Sequence, residues 1–265
     1  MKFAVISDIH GNYEAFKALL KQLNKKDINH IINLGDIVGY GADPVKCLET
    51  VMYMSGKDAL NLSREEKRIA TGFRIHNLMG NHDSAVVNFT DIRFFNNMAY
   101  EAILWTRDQL NHSHISYIKK LQLSYQINDK YFFYHSTPSD IEEWNYIHDK
   151  SIADYYFKKL EKQFIFVGHT HSLRFFIYRK QEDKIIDLYP NKEQWDLLEG
   201  YKYILNPGSI GQPRDGNFMP SYLILDTKRD TVDVNRYEYD VNTAMKKIND
   251  AGLPYFLAER LRIGK

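Results

Sequence analysis

The sequence predicts an α/β fold, and three observations carry that expectation. Short apolar runs alternate with helical patterns through the first half of the chain. The first three runs, at residues 1–6, 30–34 and 75–79, each end in a serine or glycine followed by a polar residue. After His171 successive strands with polar turns take over, until a last helical stretch begins at residue 241. The 265 residues hold no internal repeat, low-complexity tract or linker, so one domain spanning 1–265 is expected.

Composition narrows the function classes. Lys and Arg number 35 against 34 Asp and Glu, which leaves a net charge of +1. That balance gives no electrostatic footprint for long nucleic acid or a membrane surface. No run approaches the roughly 20 apolar residues of a membrane span, and residues 1–6 are too short for a signal segment. The single cysteine, Cys47, rules out an intrachain disulfide, reads as an inert packed thiol and fits a reducing cytoplasm. The 19 tyrosines and 15 phenylalanines read as core packing rather than base stacking.

The elements follow in order. Residues 1–6 form a buried strand ending in Ser7-Asp8-Ile9-His10-Gly11-Asn12. Asn12 is placed to cap a helix over 13–25, whose apolar face is Ala15, Phe16, Leu19, Leu20 and Leu23. Asp8 and His10, two residues apart at a strand end, are expected to point the same way. The strand at 30–34 leads to Gly35-Asp36, then a glycine-punctuated loop and a helix over 45–54. A strand–helix–strand unit this short implies a parallel pair, with Asp8 and Asp36 at the same sheet edge.

Residues 55–73 read as a solvated helical excursion opened by a capping box at Ser63 and Glu66. The strand after it delivers Gly80-Asn81-His82-Asp83. Residues 90–121 are helical, with Phe94, Phe95, Met98, Ala102, Trp105 and Leu110 as a packing stripe. The pair His112 and His114 follows a helix and reads as a cap and turn. A hairpin turning at Asn128-Asp129 delivers His135. A helix over 152–161 leads to a short strand that runs into Gly168-His169-Thr170-His171, where Gly168 permits a sharp turn. Strands at 173–179, 184–188, 201–206, 221–225 and 231–237 read as an antiparallel half completing a second sheet. Residues 241–261 are helical, with a break at Gly252-Leu253-Pro254.

Five strand ends therefore supply Asp8, His10, Asp36, Asn81, His82, His135, His169 and His171. Two carboxylates, one amide and four imidazoles besides His82 are enough for two metal ions with one carboxylate shared. Mixed nitrogen and oxygen donors suit manganese, iron or zinc rather than magnesium alone, with manganese favoured.

In order and kind, the motifs Asp-x-His, Gly-Asp, Gly-Asn-His-Asp, a lone His and Gly-His-x-His resemble those of the calcineurin-like metallophosphoesterases. The chain is similar to a small prokaryotic phosphodiesterase-like group among them. That likeness extends to Gly35-Asp36-Ile37-Val38-Gly39-Tyr40-Gly41, Phe95-Asn96, Trp105-Thr106 and the stretch from Asn206 to Arg214. The resemblance implies a two-sheet β-sandwich flanked by helices. It implies one metal held by Asp8, His10, Asp36 and His171, and a second by Asp36, Asn81, His135 and His169, with Asp36 bridging. His82 would be the general acid of a phosphodiester hydrolysis driven by two-metal activation of a bridging hydroxide.

The chain departs from the protein phosphatases at Gly39 and Tyr40, where those enzymes carry an Asp-Arg pair. Arg214, in the loop Gly211-Gln212-Pro213-Arg214, and Tyr40 are the expected substrate contacts. The expected partner is a small phosphate ester, in a cytoplasmic protein whose homo-oligomeric state is left open. Two alternatives stand beside the enzyme: a non-catalytic metal-binding scaffold or interaction subunit of the same fold, and a nuclease.

Overall fold

The computed structural model describes residues 1–265. The first half alternates as expected: β1 (Lys2–Ile6), α1 (Tyr13–Lys25), β2 (His30–Asn33), α2 (Pro44–Met54), α3 (Arg64–Ala70) and β3 (Arg74–Asn77). Then come α4 (Asn81–Val86), α5 (Asn97–Gln109), α6 (His112–Ile118), β4 (Ser124–Ile127), β5 (Tyr131–Tyr134), α7 (Lys150–Lys159) and β6 (Phe164–Phe166). The second half holds β7 (Leu173–Arg179), β8 (Lys184–Leu188), β9 (Gln194–Asp196), β10 (Tyr201–Pro207), β11 (Ser221–Asp226) and β12 (Thr231–Arg236), closed by α8 (Val241–Asp250) and α9 (Tyr255–Ile263).

Two six-stranded sheets stack face to face, in the orders β3-β2-β1-β11-β12-β9 and β4-β5-β6-β10-β7-β8. β1, β2 and β3 are parallel, as are β5, β6 and β10; the remaining pairs are antiparallel. The expectation that the strands after His171 complete a second sheet holds only for β7, β8 and β10. β9, β11 and β12 return to the first sheet, where β11 pairs with β1. Both sheets have apolar faces that need covering, and a chain distributed over both closes the sandwich on itself.

Alternation sorts the side chains. Val5, Ile32, Phe133, Phe164, Phe166, Phe175 and Leu223 fill the space between the sheets. Their strand neighbours Ala4 and Ile6 face α1 and α2, while Ile165 and Val167 face α7. Fully burying each of the larger side chains stabilises by ~1.5–3 kcal/mol.

α1 is held at its start by Asn12, whose side chain accepts from Ala15 N at 3.1 Å. The capping box at α3 forms as expected: Ser63 Oγ accepts from Glu66 N at 3.2 Å and Glu66 Oε2 from Ser63 N at 2.7 Å. Asn111 caps α6, and His114 turns its Nε2 to Glu49 Oε1 at 3.3 Å, far along the chain from the other histidine motifs. The aromatic stripe divides. Ala102 is buried and Phe95, Met98, Trp105 and Leu110 are partly buried against the cores, but Phe94 is 87% exposed on the short 3-10 turn at Ile92–Phe94.

Candidate metal centre

The ends of β1, β2, β5 and β6 and the start of α4 lie at one rim of the sandwich. The loops there are laced together by main-chain hydrogen bonds. Asp8 N donates to Gly35 O at 3.0 Å, His10 N to Asp36 O at 2.9 Å and Gly168 N to His135 O at 2.8 Å. The 209–214 loop joins them through Gly211 N to Asp8 O at 2.8 Å and Arg214 N to His171 O at 3.0 Å. Gly168 is required for the close approach of β6 to Ser7, because a Cβ there would meet the Ser7 hydroxyl.

The side chains are not aimed by the strand period of two. Asp8 (φ 58°), His10 (φ 47°), Asp36 (φ 56°), Tyr40 (φ 58°), His169 (φ 67°) and His171 (φ 57°) all adopt left-handed backbone conformations. Such conformations cost non-glycine residues on the order of 1–3 kcal/mol each and cluster at functional sites. Turns, not strand pleats, converge these groups.

The result is three interlocking clusters of buried donors: Asp8, His10 and His171; His10, Asp36 and His82; Asp36, His135 and His169. His171 Nε2 lies 3.2 Å from Asp8 Oδ1, and His135 Nε2 lies 3.3 Å from Asp36 Oδ2 and 3.2 Å from Asn81 Oδ1. His10 reaches both carboxylates, at 3.7 Å from Asp8 and 3.5 Å from Asp36. Asp36 Oδ1 accepts from His82 N at 2.8 Å, which leaves Oδ2 facing the imidazoles.

These residues fit metal ions. Asp8 Oδ1 and Asp36 Oδ2 are buried and have no hydrogen-bond partner. His10 Nδ1 donates to Val38 O at 3.0 Å and His171 Nδ1 to Gln212 O at 2.8 Å, so in the neutral rings each Nε2 carries its lone pair inward. His169 is held the other way, Nε2 donating to Trp144 O at 2.8 Å and Nδ1 left free. Burial holds the His171 ring well below its ordinary pKa, helped by the nearby Arg214, and holds His169 down at about 3. Burial opposes the charge of Asp36, but His135, His82 and His10 outweigh it and keep the carboxylate ionised; burial would lower His135, and Asp36 instead pushes it up to about 9. Imidazole nitrogens converging on carboxylate oxygens that have no hydrogen-bond partner, in a buried space, are what a divalent cation of mixed donor preference binds.

His82 lies among the ligand candidates, in one cluster with His10 and Asp36. Asn81 and His82 open α4 rather than ending a strand, so the period of two does not separate them. The His82 ring lies edge-on to His10 with centroids 4.9 Å apart and packs on Tyr40 at 4.4 Å. Its Nδ1 is buried without a partner, against Gly39, where a Cβ would come within 2.5 Å. The glycine that stands in place of a carboxylate thus makes room for the ring. Asp83, which the sequence reading passed over, accepts from Ile37 N (3.0 Å), Val38 N (3.2 Å) and Gly80 N (3.1 Å) and ties the Asp36 turn to α4. A carboxylate next to the Gly-Asn-His motif was the available signal for it.

A cleft of about 760 Å³ opens above the clusters, with Asp36, Asn81, His82, His169, His171, Tyr40 and Arg214 at its base. The Arg214 guanidinium lies over the Tyr40 ring, 5.4 Å from its centroid, and bonds to Gln212 Oε1 at 2.6 Å. It has no carboxylate partner: neighbouring Asp215 pairs with Arg236 at 2.5 Å.

Fold and site together define a metallophosphoesterase architecture. Residues 1–230 match the family described as "Calcineurin-like phosphoesterase superfamily domain", and the chain belongs to that superfamily. Its members use metal ions to hydrolyse phosphate esters. An uncharacterized protein of Methanocaldococcus jannaschii is 36% identical over 99% of this chain and 98% of its own. A metallophosphoesterase from Sphaerobacter thermophilus superposes with a TM-score of 0.79 at 33% identity, covering 100% of this chain and 99% of that one. A hypothetical protein from Pyrococcus horikoshii shares the fold at a TM-score of 0.76 and 18% identity, over 100% of this chain and 98% of that one. No helix is long and apolar enough to cross a membrane.

Proposed function

We propose that the protein is a dinuclear metal-dependent phosphodiesterase acting on a small phosphate ester. The observation that carries this reading is that Asp36 belongs to two donor clusters, one with His135 and His169, beside Asn81, and one with His10 and His82, where His10 leads on to Asp8 and His171. When bound, two divalent cations, manganese before iron or zinc, supply Lewis acidity toward the phosphoryl oxygens and lower the pKa of water. Arg214 takes phosphate oxygens at the cleft, where its guanidinium is stacked on Tyr40 and free of any carboxylate. His82 carries a proton on Nε2, since its Nδ1 is closed off against Gly39, and passes it to the leaving alkoxide. The rings of His10, Tyr40 and Phe95 pack around His82 and take the place of an orienting carboxylate. The single buried cysteine and balanced charge support a cytoplasmic location and a small-molecule substrate.

The test is a metal-by-substrate screen on the purified protein, with a chromogenic phosphodiester and the matching monoester. The expected result is metal-dependent turnover favouring the diester. Absence of turnover with manganese, iron, zinc and magnesium alike, in a folded and metal-loaded protein, would overturn the enzymatic reading.

A further inference from the structure

We infer that the cleft above the metal centre has a nucleoside subsite, so that the ester it takes is a nucleotide derivative. The inference rests on the phosphoesterase reading and adds the identity of the group attached to the phosphate.

Two stretches, 89–95 and 142–146, each with one short 3-10 turn, line the cleft as its walls, and both contribute aromatic rings to it. Phe89 is 59% exposed, Phe94 87% and Tyr146 47%. Apolar rings left in water this fully, gathered at one cleft beside a reactive centre, mark a binding surface rather than core. Tyr146 lies flat on His169, with centroids 3.9 Å apart and planes 9° from parallel, so its opposite face is turned outward as a platform. The walls are fixed to one another: Trp144 Nε1 donates to Thr90 Oγ1 at 2.9 Å, and Thr90 in turn meets Ser84 Oγ of α4 at 2.7 Å. A platform braced in this way does not have to be ordered when a flat ligand arrives.

Charge selects among flat ligands. The cation that faces the cleft base is Arg214, which suits phosphate. The outer rim carries Glu142 and Glu143, neither of which forms an ion pair, although Glu143 accepts from Asn145 at 2.9 Å; Asp91 is paired with Arg93. A free carboxylate there disfavours a second phosphate or an acidic peptide and favours hydrogen-bond donors. A ligand anionic at one end, flat in the middle and rich in N–H or O–H groups at the other is a nucleoside monophosphate ester.

Two esters with the same p-nitrophenol leaving group separate the claims: p-nitrophenyl thymidine 5′-phosphate and methyl p-nitrophenyl phosphate. Wild type should favour the nucleoside ester at least tenfold in kcat/KM. Phe94→Ala should cut that ratio roughly 5- to 100-fold, the size of one base–aromatic stack. A merely structural defect would lower both rates and leave the ratio alone. Calorimetry provides a readout independent of turnover: AMP should bind the manganese-loaded chain at least tenfold more tightly than ribose 5-phosphate, and Phe94→Ala should erase the difference. A ratio near one in wild type, or equal affinity for the two phosphates, overturns the subsite. If both esters are hydrolysed at equal rates, the subsite falls and the phosphoesterase stands. If neither is hydrolysed while AMP still binds preferentially, the phosphoesterase reading falls and the subsite stands.

Discussion

The Nε2 atoms of His10 and His171 face one another across 3.1 Å, although the residues are 161 positions apart. Each ring donates its Nδ1 hydrogen to a backbone carbonyl, so two lone pairs meet in a buried space beside Asp8. A cation relieves that opposition. Metal loading should therefore raise the melting temperature, and stripping with chelator should lower it. Binding at 100 times Kd is equivalent to about 2.7 kcal/mol per site. Elemental analysis should find up to two equivalents of metal per chain. Asp36→Asn should lose the most metal of any single substitution, since Asp36 Oδ2 faces imidazoles of both clusters.

His82 lies close enough to Asp36 and His10 to compete as a ligand, so metal content and rate must be measured together. His82→Ala should retain both metals and lose roughly 10²–10⁴ in kcat, the usual contribution of a general acid. The loss should be smallest with a p-nitrophenolate leaving group, which departs without a proton. Loss of one metal equivalent in His82→Ala would reassign the ring as a ligand. An equal rate loss for good and poor leaving groups would remove the acid role.

Arg214 is fixed by main chain and by Gln212, not by an ion pair, so its charge is free for substrate. Arg214→Lys keeps the charge and loses the planar fork and the stack on Tyr40. We expect kcat/KM to fall more than tenfold with little change in melting temperature. Wild-type kinetics in Arg214→Ala would end the assignment.

Much of this was legible in the sequence where the deciding interactions are local. The bounds of α1 follow from Asn12 and the apolar spacing of Phe16, Leu19, Leu20 and Leu23, and the α3 capping box from Ser63 and Glu66. The eight residues of the metal centre could be gathered because they follow the ends of five short apolar runs. What failed depends on distant partners. β11 and β12 carry ordinary strand patterns, and only the pairing of β11 with β1, from Val5 opposite Leu223 to Lys2 opposite Asp226, puts them in the first sheet. β9 is three residues long and has too little pattern to detect. The left-handed backbone at Asp8 and His10 is imposed by loops laced across the rim, so these two side chains meet by a turn and not by the strand period. Phe94 fits a helical stripe by spacing, yet it lies on the 3-10 turn before α5 and points to solvent.

The α3 capping box gives a stability prediction away from the metal centre. Burial works against the charge on Glu66. The Ser63 N–H at 2.7 Å and the Lys46 ammonium at 3.0 Å outweigh it, and the carboxyl is held down at about 2. Its pKa in the unfolded chain is about 4.3. A folded pKa below the unfolded one means stability that is fully present above the unfolded value and lost as pH falls through the folded one. Lys46 is 40% exposed, so the ion pair is partly screened and the contribution is set at about 1–2 kcal/mol, mostly from the cap. Glu66→Gln should thus be less stable than wild type by that amount at pH 7, measured by urea unfolding of metal-free protein. The gap should stay flat down to about pH 5 and close progressively between pH 5 and pH 2, because wild type alone gives up a charge there. A gap that stays constant from pH 7 to pH 3 would assign the effect to the shape of the cap and not to the carboxylate charge.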